Sequence, residues 1–357
     1  MSTAPTSRLT SLDTVRGFAV VAMVIAHTSP FVLPAPRLVE YAESMLNDVA
    51  APLFALVIGA TIALTGPAPE AAPPERTRYR LQTAGRAAVL IVLSLLLSLR
   101  FSGVVIVLEH LGLALLLALP FLCLRTRALL LWAAPLLVIG PGIVTALRLA
   151  ALSHPALTAP ANPLTWLLDR LVLGNSYQAL AFLPLYLGGI VLGRCVLRKP
   201  RRALALLIAA VVWFVPVELW RLLDMPGTGL RGGYVEVLRE APLALGAFAF
   251  FVWVTTAASA RAVLSPLTAQ GRMALSVYVL HVLILMGVYT ARTAAVGTEQ
   301  AAWFAPPLGW SIQAGLVLVC WAFAAAWWRG LGTGPMERLT GVAAGRHPVR
   351  ALWAVRR

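Results

Sequence analysis

Arg16 and His27 stand eleven residues apart in one apolar run. Helical geometry puts them within about 20° of the same face and about 16 Å apart along the axis. A guanidinium fork donates paired hydrogen bonds to phosphate oxygens, whereas an imidazole kept from bulk water stays neutral and can take a proton. Asp13, three residues before Arg16, shares that face and can pair with it. A second apolar run carries Glu109-His110, a carboxylate beside an imidazole that must be neutralised, hydrogen-bonded or hydrated. A third places Tyr278 and His281 one helical turn apart. Asn47-Asp48, ahead of Ala50-Ala51-Pro52, reads as the capped N-terminus of an apolar helix, with Asp48 also a candidate to touch substrate. Plainer readings stand beside these: an interfacial anchor for Arg16, a core histidine for His27, a headgroup-level pair for Glu109-His110 and helix packing for Tyr278 and His281. Taken together, the groups suit proton transfer next to a phosphate-binding point. No metal-ligand spacing, Gly-rich phosphate loop or Gly-x-Ser-x-Gly elbow accompanies them, and no metal is expected.

The elements that must position these groups are set by composition. The chain has 357 residues, 60% of them hydrophobic and only 12% charged, with a mean hydropathy of +0.83. So few charges exclude a disordered chain and a soluble nucleic-acid-binding domain. Apolar stretches of about 20 residues cross a bilayer, and ten are present, near 16–35, 48–66, 84–101, 103–124, 128–150, 177–197, 203–223, 241–260, 271–290 and 306–328. The expected fold is an all-α, polytopic bundle of about ten transmembrane helices, with a tight hairpin at Phe101-Ser102-Gly103. Ionisable groups inside such spans are costly and mark sites.

The net charge of +15 is topological information. With ten spans, 21 of the 29 Lys and Arg residues fall on the side of both termini and 8 on the other. Positive residues are retained in the cytoplasm, so both termini are expected there. The first span lacks a short apolar core followed by a small-residue cleavage site, and so reads as an anchor and not as a signal peptide. The expected organisation is one transmembrane domain over 1–357: a cytoplasmic N-terminus to residue 15, a bundle over 16–328 and a basic cytoplasmic tail over 329–357. Between spans two and three, Pro67 to Pro74 should be extended. The outer loops at 151–176 and 224–240 are too small for a separate domain, which leaves any chemistry to the bundle. Cys123, Cys195 and Cys320 are isolated, which argues against a disulfide framework or structural zinc. Arg supplies 28 of the 29 basic residues, a usage typical of a high-GC bacterial genome, so a multi-pass protein of a bacterial cytoplasmic membrane is expected.

Short motifs along the chain resemble one group of enzymes. Leu12-Asp13-x-x-Arg16-Gly17-x-Ala19 followed by His27 is similar to the opening helix of the membrane-bound acyltransferase superfamily. Ala51-Pro52-Leu53-Phe54-x-x-x-x-Gly59-Ala60 and Val107-Leu108-x-x-Leu111-Gly112 resemble its heparan-alpha-glucosaminide N-acetyltransferase-like branch. Leu183-Pro184, Leu187-Gly188 and Gly193-Arg194, with Gly271-Arg272-Met273-Ala274-Leu275-x-x-Tyr278-x-x-His281, look like YeiB-type bacterial membrane proteins. The resemblance implies transfer of an acyl group, usually acetyl, from cytoplasmic acyl-CoA to a hydroxyl or amine at the outer face. Membrane lipid, acetyl-CoA or another acyl-CoA, and a sugar, lipid or small-metabolite acceptor are then the expected partners; a homo-oligomer is compatible with this, and nucleic acid is not. In the heparan branch a His in the loop between the first two spans does the chemistry, and residues 34–47 contain none. His27 instead matches the broader acyltransferase-3 pattern, as base or acyl carrier, with Glu109, His110 and His281 around it and Arg16 and Asp13 on the donor. A proton-coupled transporter or exporter would use the same buried His and Glu residues as a relay, and a structural partner in an envelope complex would need no chemistry. No internal repeat favours a transporter.

Overall fold

The computed structural model describes residues 9–101, 103–154, 162–297 and 308–349. Ser102, at the expected hairpin, and residues 306–307 of the tenth expected span lie outside them. Among the described residues the chain is helical throughout, with no strand. The helices are α1 (Thr10–Val32), α2 (Arg37–Thr65), α3 (Pro73–Ser98), α4 (Leu108–Ala118), α5 (Thr126–Ser153), α6 (Pro163–Leu168), α7 (Ala179–Cys195), α8 (Pro200–Leu222), α9 (Tyr234–Val254), α10 (Ala258–Val263), α11 (Ser265–Gly271), α12 (Ala274–Val296), α13 (Leu308–Gly330) and α14 (Pro335–Ala343). Eight of them (α1, α2, α3, α5, α8, α9, α12 and α13) are long and apolar enough to cross a membrane. The fourth and sixth expected spans are shorter apolar helices, Leu108–Phe121 and Ala179–Cys195. At 1.5 Å per residue the former covers only about 21 Å of a hydrocarbon core about 30 Å thick.

The shortening of the fourth span has a local cause. Residues 103–107 were expected to be helical, yet α4 begins at Leu108. The Val107 amide instead donates to the Tyr278 hydroxyl at 3.3 Å. Phe101, Ile106 and Val107 are buried. Irregular backbone at membrane depth is tolerated where protein surrounds it in this way.

Of the eight long helices α1 and α2 are the most enclosed, while α3, α5 and α8 bury little of their surface. Glycines allow the closest approaches. A side chain at Gly59 of α2 would overlap the Tyr186 carbonyl of α7, and one at Gly271 of α11 would overlap the Asp13 carbonyl of α1. Small residues at such crossings let helix backbones touch in the absence of a hydrophobic driving force. Thr14 and Thr268 add a hydroxyl pair at 2.8 Å across the α1–α11 contact. That contact holds Arg16 and Arg272 at one end of the bundle.

The succession of passes puts Arg198-Lys199-Pro200, between α7 and α8, opposite the α8–α9 connection. A cysteine introduced at Pro226, exposed in that connection, should react with an impermeant thiol reagent in intact cells, and one at Pro200, also exposed, should be spared. The reverse labelling pattern would invert the assignment of the two faces.

Candidate functional site

A cavity of about 390 Å³ opens at the end of the bundle that carries α14, among α1, α2, α3, α4 and α12. Its wall holds three guanidinium groups, Arg16, Arg86 and Arg272, with Thr61 and Thr83 beside them and an apolar interior of Phe54, Val57 and Leu111. Asp13 is 2% exposed and meets the cavity through its neighbours. Arg16 donates to it at 2.9 Å and to Thr61 Oγ1 at 2.5 Å, and the Arg272 Nε lies 3.9 Å from its other oxygen. Asp13 thus orients Arg16, as the three-residue spacing implied, and does not itself line the space. Glu337 of α14 accepts from the Leu275 and Ser276 amides at 2.8 and 3.2 Å and from the Ser276 hydroxyl. These contacts cap the N-terminus of α12 and tie α14 to the mouth of the cavity.

Above the cavity the two histidines that lie 254 residues apart meet. His27 Nδ1 and His281 Nε2 are 2.9 Å apart, and the rings stack with centroids 5.2 Å apart. Only one of the two facing nitrogens carries a proton, so the pair shares it, and the His27 ring also bonds the Val105 backbone. His281 Nδ1 lies near its own helix carbonyls without reaching hydrogen-bond geometry. Tyr278 stands edge-on to His281 at 5.0 Å and to His27 at 6.5 Å. It also lines the cavity, so the Tyr278–Val107 contact is the partition between the arginine-lined space and the histidine pair. Arg16 lines the cavity, and His27 lies farther along the same helix, against His281.

Glu109 and His110 form a separate cluster. Both are 5% exposed, but they are not primarily each other's partners. Arg170 donates to Glu109 at 2.6 Å, while His110 Nδ1 stays 4.0 Å from that carboxylate. Arg170 also pairs with Asp169 and lies over the Trp166 ring at 5.6 Å. His110 turns its edge to Tyr177 at 5.8 Å, and Tyr177 is within electrostatic range of Tyr278. The second cluster therefore approaches the histidine pair from the opposite end of the bundle to the arginine cavity.

Asp48 does not cap the second span, as its place before Ala50-Ala51-Pro52 suggests, because α2 begins at Arg37 and runs through Pro52. Proline lacks the N–H that would bond the carbonyl four residues back, here that of Asp48. The cue in the sequence was a proline inside a helix, not at its start. The Asp48 side chain pairs with Arg239, which also donates to Glu218 at 2.5 Å. Arg86, Arg170, Glu218, Arg239 and Glu337 were not singled out in the sequence. Arg86 and Glu218 lie inside expected spans, so the cost of burying charge could have marked them. Arg170 and Glu337 lie outside the spans, where no pattern distinguishes them. Among the described residues no three His, Cys, Asp or Glu side chains converge as metal ligands.

Fold and site define a multi-pass membrane protein with a cationic cavity at one end and buried histidines beyond its inner wall. Residues 8–219 match the family described as Heparan-alpha-glucosaminide N-acetyltransferase, catalytic, and the chain belongs to that family. Residues 195–344 match a second family, Protein of unknown function (DUF418). His27 lies in the first match, Tyr278 and His281 in the second, and the 2.9 Å contact joins the two regions. No curated protein matches the chain.

Proposed function

We propose that this protein is an acetyltransferase of a bacterial cytoplasmic membrane, a single transmembrane domain that takes acetyl-CoA from the cytoplasm and transfers the acyl group to a hydroxyl or amine of a sugar, lipid or metabolite. The observation that carries the reading is the three-arginine cavity whose inner wall, Tyr278, stands edge-on to the His27–His281 pair. Guanidinium groups suit the phosphates of CoA, and the apolar upper part of the cavity suits the pantetheine arm and its thioester. The acceptor approaches from the Glu109 side. As its heteroatom attacks the thioester carbonyl, a C–O or C–N bond forms and the C–S bond breaks. His27 takes the acceptor's proton at Nδ1, exchanging its contact with His281 for one with the acceptor, and returns the proton to the departing thiolate. Tyr278 accepts from Val107 and keeps its own O–H to donate to the carbonyl oxygen, where negative charge develops.

The test is reconstitution in vesicles with radiolabelled acetyl-CoA and a panel of amino sugars, polyols and membrane lipids. Label should pass to an acceptor with release of free CoA. Proton-driven uptake of a solute, with no thioester consumed, would favour the transporter reading instead.

Two substitutions separate the parts. Arg16→Lys should weaken donor binding about tenfold or more, since a point charge cannot reproduce the paired hydrogen bonds, and leave the rate at saturating donor nearly unchanged. Titration calorimetry with CoA measures the first and initial rates the second. Tyr278→Phe keeps the ring against both histidines and removes only the hydroxyl. It should lower the rate by about 10² with donor affinity intact; an unchanged rate would confine Tyr278 to holding the 103–107 segment.

A further inference from the structure

Helix α8 stands at the edge of the bundle, packed along α9. Between it and the α1–α2 pair lies a groove of about 670 Å³, separate from the arginine cavity, in which α2 and α8 form opposite walls. Phe18, Ala42, Val211, Ala247 and Phe251 line it, and the Tyr41 ring lies at its outer end. All of these residues belong to membrane-spanning helices, and the lining offers almost nothing that water could bond. Small side chains leave the space open where larger ones could have filled it. At the outer end Tyr41 donates to Glu218 at 3.0 Å, and Arg221 grips the same carboxylate through Nε and Nη2. The Arg221 guanidinium lies over the Tyr41 ring at 5.9 Å, its side chain 29% exposed.

An apolar recess at this depth is filled by hydrocarbon, because the surrounding solvent is lipid and empty volume forfeits dispersion contacts. The cation at its outer rim selects the headgroup. Arg221 spends two of its nitrogens on Glu218 and has Nη1 left to meet an anion at the level where lipid phosphates lie. We propose that the groove between α2 and α8 is a binding site for one anionic phospholipid of the outer leaflet, an acyl chain lying along the groove and the phosphate on Arg221. The proposal does not rest on acyl transfer.

The experiment uses the full chain, purified in mild detergent and washed with excess detergent. Native mass spectrometry and lipid extraction should find about one phospholipid per chain, and phosphatidylglycerol should raise the thermal unfolding midpoint where phosphatidylcholine does not. Ala42→Trp and Ala247→Trp fill the groove from two different helices, and each should abolish both the retained lipid and the stabilisation. Arg221→Gln should abolish the preference for the anionic headgroup. Equal stabilisation by both lipids, or lipid retention unchanged in both tryptophan variants, would overturn the site. A dimer in detergent that either tryptophan variant dissociates would also overturn it, because the groove would then receive a second copy of the chain.

Discussion

His27→Ala should lower the transfer rate at saturating donor by a factor of about 10² to 10⁴, the range expected when a general base is removed. Donor affinity should hold, because the arginines that would bind CoA lie on the other side of the Tyr278–Val107 partition. His281→Ala tests the division of labour within the pair. It leaves His27 in place but removes the ring that shares its proton at 2.9 Å, so the rate should fall less, by about tenfold. If the rings act as one unit, the double variant should lose no more than His27→Ala alone, which is the non-additive behaviour of groups that serve one step. Because both rings are buried, detergent stability must be measured on the same samples. A well-folded His27→Ala protein with unchanged transfer would remove the base from the mechanism. A protein that fails to fold would point to a core histidine, and His27→Gln, which retains a hydrogen-bonding side chain, then decides between the two.

What the sequence disclosed depended on how local the determinant was. The spans were legible because about twenty apolar residues between charged or Pro-rich breaks carry the same meaning wherever they occur. Arg16 and His27 were legible as a pair because one helix fixes their relative face and rise. Glu109, His110 and His281 are all expected around His27, and only the crossing of α12 over α1 decides that His281 is the one to meet it, at 2.9 Å. The start of α4 was misplaced for the same reason. Residues 103–107 are apolar enough to continue a helix, yet α4 starts at Leu108 and the Val107 amide before it bonds the hydroxyl of Tyr278, 171 positions away. Charge pairing was the least legible. Glu109 was matched to the adjacent His110, whereas in the folded chain Arg170 holds it. Asp48 was given to its own helix terminus, whereas it belongs to Arg239. Neighbouring residues on a helix point about 100° apart, so the three-residue spacing of Asp13 and Arg16 identifies an ion pair where the adjacency of Glu109 and His110 does not.

Glu109→Gln should cost most of the activity while the protein still reaches the membrane. The carboxylate occupies the first turn of α4, where negative charge is favoured by the helix dipole, and its 2.6 Å bond from Arg170 is almost wholly shielded on the glutamate side. Glutamine keeps the shape and one acceptor oxygen but removes the charge, so Arg170 retains Asp169 alone. Breaking a buried pair from one side costs about 3–5 kcal/mol, and the partial exposure of Arg170 places the expected loss below that range. Stability and function then separate in the double variant. Glu109→Gln with Arg170→Gln removes both charges, so the unfolding midpoint should recover much of its value. The rate should stay low, because the acceptor path still lacks its carboxylate. Recovery of rate together with stability would reduce the pair to an anchor for the start of α4. Rate, unfolding midpoint and donor affinity measured on all three proteins distinguish these outcomes, since in the double variant an anchor restores the first two together, whereas a carboxylate on the acceptor path leaves the rate low as the midpoint recovers.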